Sequence, residues 1–339
     1  MLTKIFVKNL CCYDDIGTSI DFSEESIFVG PNNSGKSTIF AGLNLMRNIS
    51  YRGLAWTTEY YNLVDFENAV NNHDINKEIV VSATLDAKTY TLHVKKGNVI
   101  GVEAIDSDGT SIPISLEVFK NIWYLRPNRA LLPYLTDVAP TGGPLQPLNP
   151  DCSNVINFLV ERFTDRDDRW DKFEKWLGKV DPDISHFKPP IKGRSCSFET
   201  LMANVPVNAS LQGSGFHSAA SIIASLIFSP RNATVIIEEP EVFLHKDTQE
   251  VLADLFNEVV SSEQKQVIFS THSWDMLLPF ASDIIQDASK RGASHVLANS
   301  QKFKMFIFSK ISGKVTVNQY PLVTKTFRQL KDDLKITWG

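Results

Sequence analysis

A glycine-rich segment ending in Lys-Ser follows a short apolar run near the N-terminus. Residues 30–37 read GPNNSGKS and fit the pattern G-x-x-x-x-G-K-[ST]. Residues 27–29, Ile-Phe-Val, predict a buried strand before it, and residues 37–46 place apolar side chains at helical spacing after it. Backbone N–H groups of such a loop and helix start bind phosphate. The segment therefore predicts a nucleotide-phosphate site, and its context argues against a glycine-rich turn that binds nothing.

Each residue type in this phosphate loop has a chemical reason. Gly30 and Gly35 allow backbone conformations that a side chain would forbid. The Lys36 ammonium reaches the terminal phosphates, and the Ser37 hydroxyl is a ligand for Mg²⁺. The predicted nucleotide-binding residues are Gly30, Asn32, Asn33, Ser34, Gly35, Lys36, Ser37 and Thr38.

Two acidic residues follow a second apolar, β-branched run. Residues 234–237 read Thr-Val-Ile-Ile, and Glu238, Glu239 and Pro240 come next. In a parallel α/β sheet, ligands bind at the carboxyl ends of the strands. Adjacent strand residues face opposite sides, which predicts that Glu238 holds Mg²⁺ through water and Glu239 polarises the attacking water. A solvated acidic turn is the competing interpretation, and the phosphate loop upstream favours the catalytic one.

A histidine follows a third predicted strand. Residues 266–271 read Gln-Val-Ile-Phe-Ser-Thr, and His272 comes directly after them. A histidine at that place can hydrogen-bond the γ-phosphate of a nucleotide. Its position after a strand distinguishes His272 from His93, His186 and His295, which are more simply packed or surface residues.

A second glycine-rich turn precedes the acidic strand. Residues 212–215 read Gln-Gly-Ser-Gly and open an apolar helix that includes residues 222–228. The start of a helix is again a geometry that binds anions. The turn alone is weak evidence, and its place just upstream of Glu238 makes it informative.

In this order, the four segments resemble the ABC-type ATPases, in particular the overcoming-lysogenization-defect (OLD) family and its RecF-like relatives. The resemblance rests on GPNNSGKST, QGSGFHSA, TVIIEEPEVFLH and VIFSTHS, with an N-terminal strand pair at residues 5–10 and 20–22. It implies a composite site, in which ATP lies between the phosphate loop of one protomer and the signature turn, residues 212–215, of another.

The resemblance also implies residue roles. Ser214 and Gly215 would bind the γ-phosphate from the second protomer, and residues 240–245 would form the dimer-contact loop. Glu238 and Glu239 take the metal and general-base positions, and His272 the switch position.

The sequence departs from the family pattern at two places. The signature turn is degenerate relative to LSGGQ, and His217 lies about where OLD-like members often carry Gln. The family's glutamine after a mid-chain strand is not identifiable, and the nearest candidate is residues 121–129, a predicted strand followed by Arg126 and Arg129. Arginine suits bidentate phosphate contact, and salt-bridged surface arginines are the alternative of at least equal weight.

The predicted fold is an α/β P-loop domain of the ABC ATPase type, with a mainly parallel sheet flanked by helices, an antiparallel β-subdomain and a helical insert. Three segments are expected. Residues 1–120 form an N-terminal lobe with the phosphate loop and a β-meander, residues 121–204 a loop and helical insert, and residues 205–339 a C-terminal lobe with the other motifs.

Local patterns fill in these segments. Residues 78–116 alternate apolar and polar side chains between turns, which predicts an antiparallel meander. Residues 133–151 are predicted as a loop, residues 153–180 as two helices, and residues 304–320 as a hairpin. One helix face is expected to carry Val155, Ile156, Leu159, Val160 and Phe163, and a core to contain Trp170, Phe173, Trp176 and Leu177.

Composition limits the environment and the partners. The net charge of −5 gives no general attraction to nucleic acid, although a local basic patch would still allow contact. No apolar stretch approaches the length of a membrane span, and the N-terminus predicts a strand and not a secretory signal. Four cysteines without metal-ligand or disulfide spacing predict a reducing cytoplasm. The tail after His272, with basic Lys325, Arg328, Lys331 and Lys335, is expected to lack the TOPRIM nuclease of OLD-family nucleases.

The expected function is Mg²⁺-dependent ATP hydrolysis used as a switch. ATP would join two protomers, and the joined state would control a separate effector such as a nuclease, in bacterial antiphage defence by analogy with OLD-like ATPases. A RecF-like DNA-binding repair clamp is the alternative, and a scaffold that hydrolyses nucleotide slowly is a third function. The sequence contains no motif that distinguishes ATP from GTP, and it leaves open the effector, the trigger and assemblies larger than a dimer.

Overall fold

A computed structural model describes residues 1–52, 66–96, 98–111, 116–129, 136–137, 148–188, 191–192, 195–202, 205–280, 302–311 and 313–320, with residues 329 and 332. The chain forms two compact units. The first unit contains the described residues of Met1–Ile122, Gln266–His272 and Ala281–Gly339, and the second contains those of Trp123–Lys265 and Ser273–Phe280. The three consecutive segments expected from the sequence remain a prediction about domains.

The helices are α1 (Lys36–Arg52), α2 (Phe66–Ala69), α3 (Val155–Thr164), α4 (Trp170–Val180), α5 (Ser214–Phe228), α6 (Lys246–Glu263) and α7 (residues 274–280), with 3₁₀ turns at Asn71–His73, Leu116–Asn121 and Ala209–Leu211. The strands are β1 (Leu2–Lys8), β2 (Thr18–Asp21), β3 (Glu25–Val29), β4 (Ile79–Leu85), β5 (Lys88–Lys95), β6 (Asn98–Ile105), β7 (Ile122–Leu125), β8 (Thr136–Asp137), β9 (Ile184–Lys188), β10 (Ile191–Lys192), β11 (Ser195–Cys196), β12 (Glu199–Met202), β13 (Val205–Asn208), β14 (Thr234–Glu238), β15 (Gln266–Thr271), β16 (Phe303–Ile311) and β17 (Lys314–Gln319).

The first unit contains an antiparallel sheet in the order β2-β1-β4-β5-β6. Alternate residues of β4 are buried, as its apolar and polar alternation requires for a sheet with one face on the core. The N-terminal strand pair and the β-meander predicted from the sequence are both confirmed.

A second sheet of the first unit runs in the order β17-β16-β3-β15. Its centre is β3, which is parallel to both β15 and β16 and buries its Ile-Phe-Val run completely. Strands covered on both faces are continuously apolar, which explains that run. The predicted C-terminal hairpin is β16 and β17. The buried Gln266 amide bonds to the backbone of Leu2 and Ser23 and so joins the two sheets of this unit.

The second unit is built around α5 and β14, and β14 neighbours β7 in the sheet. All five residues of β14 and nearly all of α5 are buried. Helices α3 and α4 pack on the end of α5, where the ring of Phe228 lies 5.4 Å from Phe173 and 5.9 Å from Phe158. The helical insert therefore supports the helix that begins at the signature turn.

The core predicted for α4 is confirmed, since Trp170, Phe173, Trp176 and Leu177 are all buried. The face predicted for α3 is correct except at Phe163, which is 36% exposed. Phe163 lies in the last turn of α3 and has its edge contact with Trp170 at 5.1 Å, near the end of the helix pair.

Some expectations fall outside the described residues. These are most of the loop predicted at residues 133–151 and the basic positions Lys325, Arg328, Lys331 and Lys335. Among the described residues, none of the helices has the length and apolar content to cross a membrane.

Candidate functional site

The phosphate loop begins where β3 ends. Val29 pairs with Ile307 of β16, and the Phe308 carbonyl lies beside Gly30. Gly30 has φ +153°, and an added Cβ would lie 2.3 Å from the Phe308 carbonyl oxygen. Glycine is therefore required here by both the backbone conformation and the neighbouring strand.

Lys36 is the first residue of α1 and lies over the loop that it closes. Its ammonium donates hydrogen bonds to the carbonyl oxygens of Gly30 (2.7 Å) and Pro31 (2.9 Å), and the side chain is only 5% exposed. The Ser34 hydroxyl is buried and has no hydrogen-bond partner among the described residues. Asn32, Asn33 and Ser37 are exposed around it. Predicted phosphate-binding residues thus share one compact turn at the start of a helix.

The loop between β1 and β2 supports the phosphate loop, a contact that no sequence motif indicates. The Tyr13 hydroxyl donates to the Gly35 carbonyl at 3.1 Å, and the Cys12 sulfur lies 3.5 Å from the Thr38 hydroxyl. Burial raises the pKa of Tyr13, so the hydroxyl keeps its proton and remains a donor. Thr38 is half-buried and contacts this supporting loop.

His272 lies at the same sheet edge as the phosphate loop. Strands β3 and β15 are parallel, and Thr271 pairs with Val29. His272 follows β15 and Gly30 follows β3, so the two residues come at the ends of neighbouring strands. His272 is half-buried. Within the first unit the structure thus brings the predicted switch histidine to the phosphate loop.

The acidic pair lies at the end of β14 in the second unit. Glu238 is buried, and its carboxylate accepts a hydrogen bond from the Tyr124 hydroxyl on β7. Glu239 follows with φ +43°, a conformation that is uncommon for a residue with a side chain. Glu238 is thus buried at the strand end, whereas Glu239 is half-buried in the turn that follows.

Residues 126–129 follow β7 and include Arg129, which the sequence left open as a phosphate contact or a surface ion pair. Arg129 is 5% exposed, and its guanidinium donates to the carbonyl oxygens of Arg126, Glu238 and Glu239 and to the Ser218 hydroxyl. Arg129 is thus not the surface ion pair that the sequence left open, because its guanidinium is buried and bonds to carbonyl and hydroxyl oxygens. The phosphate contact considered for residues 121–129 stays a prediction.

The signature turn leads into α5, which begins at Ser214 with Gly213 as its N-cap. Ser214 is exposed. An added Cβ at Gly215 would lie 2.8 Å from the carbonyl oxygen of Phe243, in the loop of residues 239–245. The close approach requires glycine and joins the signature turn to the loop that follows Glu238.

Gln212 and His217 make hydrogen bonds that fix the signature turn within the second unit. The Gln212 amide donates to the Thr200 hydroxyl at 3.1 Å, and the His217 ring lies 3.0 Å from the Gln212 carbonyl. Burial lowers the pKa of His217, which favours the neutral ring. His217 is therefore a buried packing residue behind the turn.

The donor chemistry fits a magnesium nucleotide. The described residues contain no group of three or more His, Cys, Asp or Glu side chains that could hold a metal ion alone. Mg²⁺ in nucleotide sites keeps water and phosphate oxygens and takes one or two protein oxygens. The Ser37 hydroxyl in the first unit and the Glu238 carboxylate in the second are each an oxygen of that kind.

A family model described as the AAA ATPase domain matches residues 1–137 and 144–277. The chain belongs to this family. It is related to the OLD nuclease of Thermus scotoductus (strain ATCC 700910 / SA-01), with 23% identity over 313 residues. That match covers 80% of this chain and 59% of the OLD nuclease, so the chain spans about three fifths of its relative. The protein thus carries an AAA ATPase domain.

Solved structures of Smc head domains have the same fold. A Smc head bound to the C-terminal winged-helix domain of ScpA gives a TM-score of 0.57 at 14% identity, with 97% of this chain and 99% of that chain covered. A Smc head with an extended coiled coil, bound to a ScpA domain derived from Pyrococcus furiosus, gives 0.55 at 12% identity, with 99% of both chains covered. The SMC head of Thermotoga maritima gives 0.50 at 12% identity, covering 94% and 98%. The predicted ABC-type α/β fold is confirmed.

Proposed function

We propose that the protein binds ATP and hydrolyses it with Mg²⁺, as a dimeric switch that controls a separate effector. The single observation that carries the ATP assignment is the phosphate loop, in which Gly30, Lys36 and the buried Ser34 hydroxyl form a turn at the start of α1. Backbone N–H groups of Asn32, Asn33 and Gly35 and the Thr38 hydroxyl complete the predicted phosphate contacts.

The proposed chemistry divides between the charged and hydroxyl groups. Lys36 neutralises the terminal phosphates, and His272 hydrogen-bonds the γ-phosphate. Ser37 and Glu238 hold Mg²⁺, which when bound polarises the phosphate oxygens. Glu239 accepts the proton of the attacking water.

The second protomer supplies Ser214 and Gly215 in this proposal. The support is an apolar surface at the signature turn, where Leu211 is 72% exposed and Phe243 is 57% exposed. Phe243 lies against Gly215, so the signature turn and the loop of residues 239–245 present one surface to a partner. Exposed apolar side chains beside such a turn favour a protein contact.

The effector is proposed to be a separate protein, with a nuclease as the favoured class and antiphage defence as the setting. The OLD relationship supports a nuclease, and the Smc heads bound to ScpA domains provide a precedent for this fold docking another protein. The net charge of −5 gives no support to a general nucleic-acid partner.

The test is the mass of the protein in light scattering, with and without Mg-ATP, for wild type and Glu239→Gln. We expect ATP to convert monomers into dimers, most completely in Glu239→Gln, because loss of the base slows hydrolysis by roughly 10²- to 10⁴-fold. Lys36→Ala is the matched control, since it removes the phosphate contact and should remain monomeric.

Two outcomes would contradict the proposal. A monomer in every condition would remove the signature turn from catalysis, and a mass indifferent to ATP would favour a constitutive scaffold. Tight, salt-dependent DNA binding by the ATP-bound dimer would favour the RecF-like clamp over an effector switch.

A further inference from the structure

Arg129 joins two functional segments of the second unit through one buried side chain. Its Nε donates to the Ser218 hydroxyl at 2.9 Å, Nη1 to the Arg126 and Glu238 carbonyl oxygens at 2.7 and 3.1 Å, and Nη2 to the Glu239 carbonyl oxygen at 3.0 Å. Each of these distances is that of a good hydrogen bond. A buried guanidinium requires such partners, and here backbone carbonyls supply most of them.

The carbonyls of Glu238 and Glu239 belong to the two peptide units on either side of the Glu239 Cα. Arg129 bonds to both, so it fixes the backbone from which the Glu239 side chain projects. The φ of +43° at Glu239 is strained for a residue with a side chain and persists only where surrounding contacts enforce it. The guanidinium is thus one of the contacts that hold the proposed general base in its orientation.

The remaining bond of the guanidinium connects Arg129 to the signature helix. Ser218 lies on α5, one turn beyond Ser214, and its side chain is buried. A displacement of the start of α5 would therefore act on Arg129 and, through it, on Glu239. A helix moves as one rigid element, so a shift at the start of α5 also moves Ser218 and the guanidinium bonded to it.

We propose that Arg129 is a positioning residue that couples the signature helix to Glu239 of the same subunit. This inference rests on the proposed function, in which the signature turn of one subunit contacts the ATP bound by the other. ATP at the partner's site then acts through α5, Ser218 and Arg129 on the base that serves the subunit's own ATP. The two ATP sites of the dimer are thereby linked, and hydrolysis becomes cooperative in ATP.

The chemistry of the bridge requires arginine. A planar guanidinium donates in several fixed directions at once, whereas the lysine ammonium is a compact charge on a flexible stem. Lysine at position 129 keeps the charge but cannot bond Ser218 and both carbonyls in the same geometry. Alanine at position 218 removes only the link to α5 and leaves the bonds from Arg129 to the acidic loop.

The experiment measures steady-state ATP hydrolysis over a range of ATP concentrations, together with binding of a fluorescent ATP analogue. For wild type we expect a Hill coefficient above 1. For Ser218→Ala it should fall to about 1, with analogue affinity within about twofold of wild type. For Arg129→Lys we expect kcat to fall by roughly a hundredfold at similar analogue affinity, since Glu239 loses its orientation.

Ser225→Ala is the matched control. Ser225 is buried on the same helix, and its hydroxyl has no hydrogen-bond partner among the described residues. The Ser225→Ala variant should hydrolyse ATP with the kcat and Hill coefficient of wild type. Thermal unfolding monitored by circular dichroism checks that all three variants are folded.

The coupling is overturned if Ser218→Ala keeps the wild-type Hill coefficient, or if it changes no more than Ser225→Ala. Positioning by Arg129 is overturned if Arg129→Lys keeps the wild-type kcat. Failure of the proposed function gives a different result, because wild type itself would then neither hydrolyse ATP nor dimerise with it.

Discussion

The Tyr124 hydroxyl donates a hydrogen bond to the carboxylate of Glu238, across 114 residues of sequence. Tyr124 lies on β7 and Glu238 at the end of β14, which are neighbouring strands, and both side chains are buried. A hydroxyl bonded to a carboxylate fixes the orientation of that carboxylate, as partners of metal ligands commonly do. Tyr124 is therefore part of the proposed Mg²⁺ site although it does not itself bind the ion.

Tyr124→Phe should weaken the use of Mg²⁺ while preserving the fold. The phenyl ring fills the same space, and the hydrogen bond to Glu238 is lost. We expect the Mg²⁺ concentration for half-maximal ATP hydrolysis to rise roughly tenfold, the effect typical of a lost partner of a metal ligand. A Mg²⁺ titration at saturating ATP measures this.

Tyr90→Phe is the control for that substitution. Tyr90 is also a buried tyrosine on a strand, and it packs edge-on against Phe119 at 5.1 Å within the first unit. Its Mg²⁺ titration should superimpose on that of wild type. The same superposition for Tyr124→Phe would exclude Tyr124 from the metal site.

Gly215→Ala should separate nucleotide binding from assembly. The new Cβ would lie 2.8 Å from the Phe243 carbonyl, so the signature turn and the loop of residues 239–245 must move apart. Overpacking of this kind costs about 1–3 kcal/mol. We expect ATP-dependent dimerisation in light scattering to be lost, and binding of a fluorescent ATP analogue to be retained because the phosphate loop is unchanged.

Gly178→Ala gives the matched comparison. Gly178 lies within α4, and the nearest atom to an added Cβ is the Ile184 carbonyl oxygen at 4.0 Å. Alanine is favoured over glycine in a helix by roughly 0.5–1 kcal/mol, so this variant should be as stable as wild type or more so. Normal dimerisation by Gly215→Ala would show that the turn tolerates the shift and would argue against its role in the interface.

The elements that carry the motifs are predictable from the sequence because their signals are local. The apolar run before Gly30, the helical spacing after Lys36 and the alternation in residues 79–95 each depend on neighbours in the chain. The same is true of α4, whose aromatic residues repeat at helical spacing. The structure confirms these elements, with Phe163 as the error at a helix end, where the extent of burial depends on the neighbouring helix.

The supporting contacts could not be predicted, since they join residues that are distant in sequence. Tyr124 meets Glu238, Tyr13 meets Gly35, and Arg129 meets the carbonyl of Glu238 across 109 residues. Nothing in the local pattern of residues 121–129 indicates whether an arginine faces solvent, phosphate or a buried loop. That choice depends on which carbonyls the fold leaves within reach.

Lys265 illustrates another buried cation whose role depends on tertiary contacts. It is fully buried, and its ammonium bonds to the carbonyls of Leu226 and Ile227 at the end of α5 and pairs with Glu263 at 2.7 Å. Arg169 also donates to the Ile227 carbonyl. The last carbonyls of a helix lack partners within the helix, so cations there stabilise it.

Burial lowers the pKa of Lys265 from its ordinary value of 10.5 to about 8. Between these two values, the unfolded chain holds a proton that the folded protein has released. The free energy of unfolding should therefore rise with pH across this window. Below about pH 8 both states hold the proton, and the cost of the buried charge is fully present. The shift corresponds to about 3 kcal/mol.

Lys265→Met should remove this dependence. Denaturant titrations at about pH 7 and about pH 10.5 measure the free energy of unfolding of both proteins. From the lower to the higher pH, the free energy of unfolding of wild type should increase by about 3 kcal/mol relative to that of Lys265→Met. Lys172→Met is the control, because burial lowers the pKa of Lys172 but its hydrogen bonds to Glu263 and Glu258 outweigh burial and raise it. The contribution of Lys172 to the free energy of unfolding should stay constant up to the ordinary lysine pKa and be lost above it. This pH dependence has the opposite sign to that of Lys265. An equal pH dependence in wild type and Lys265→Met would mean that Lys265 keeps its proton throughout this window.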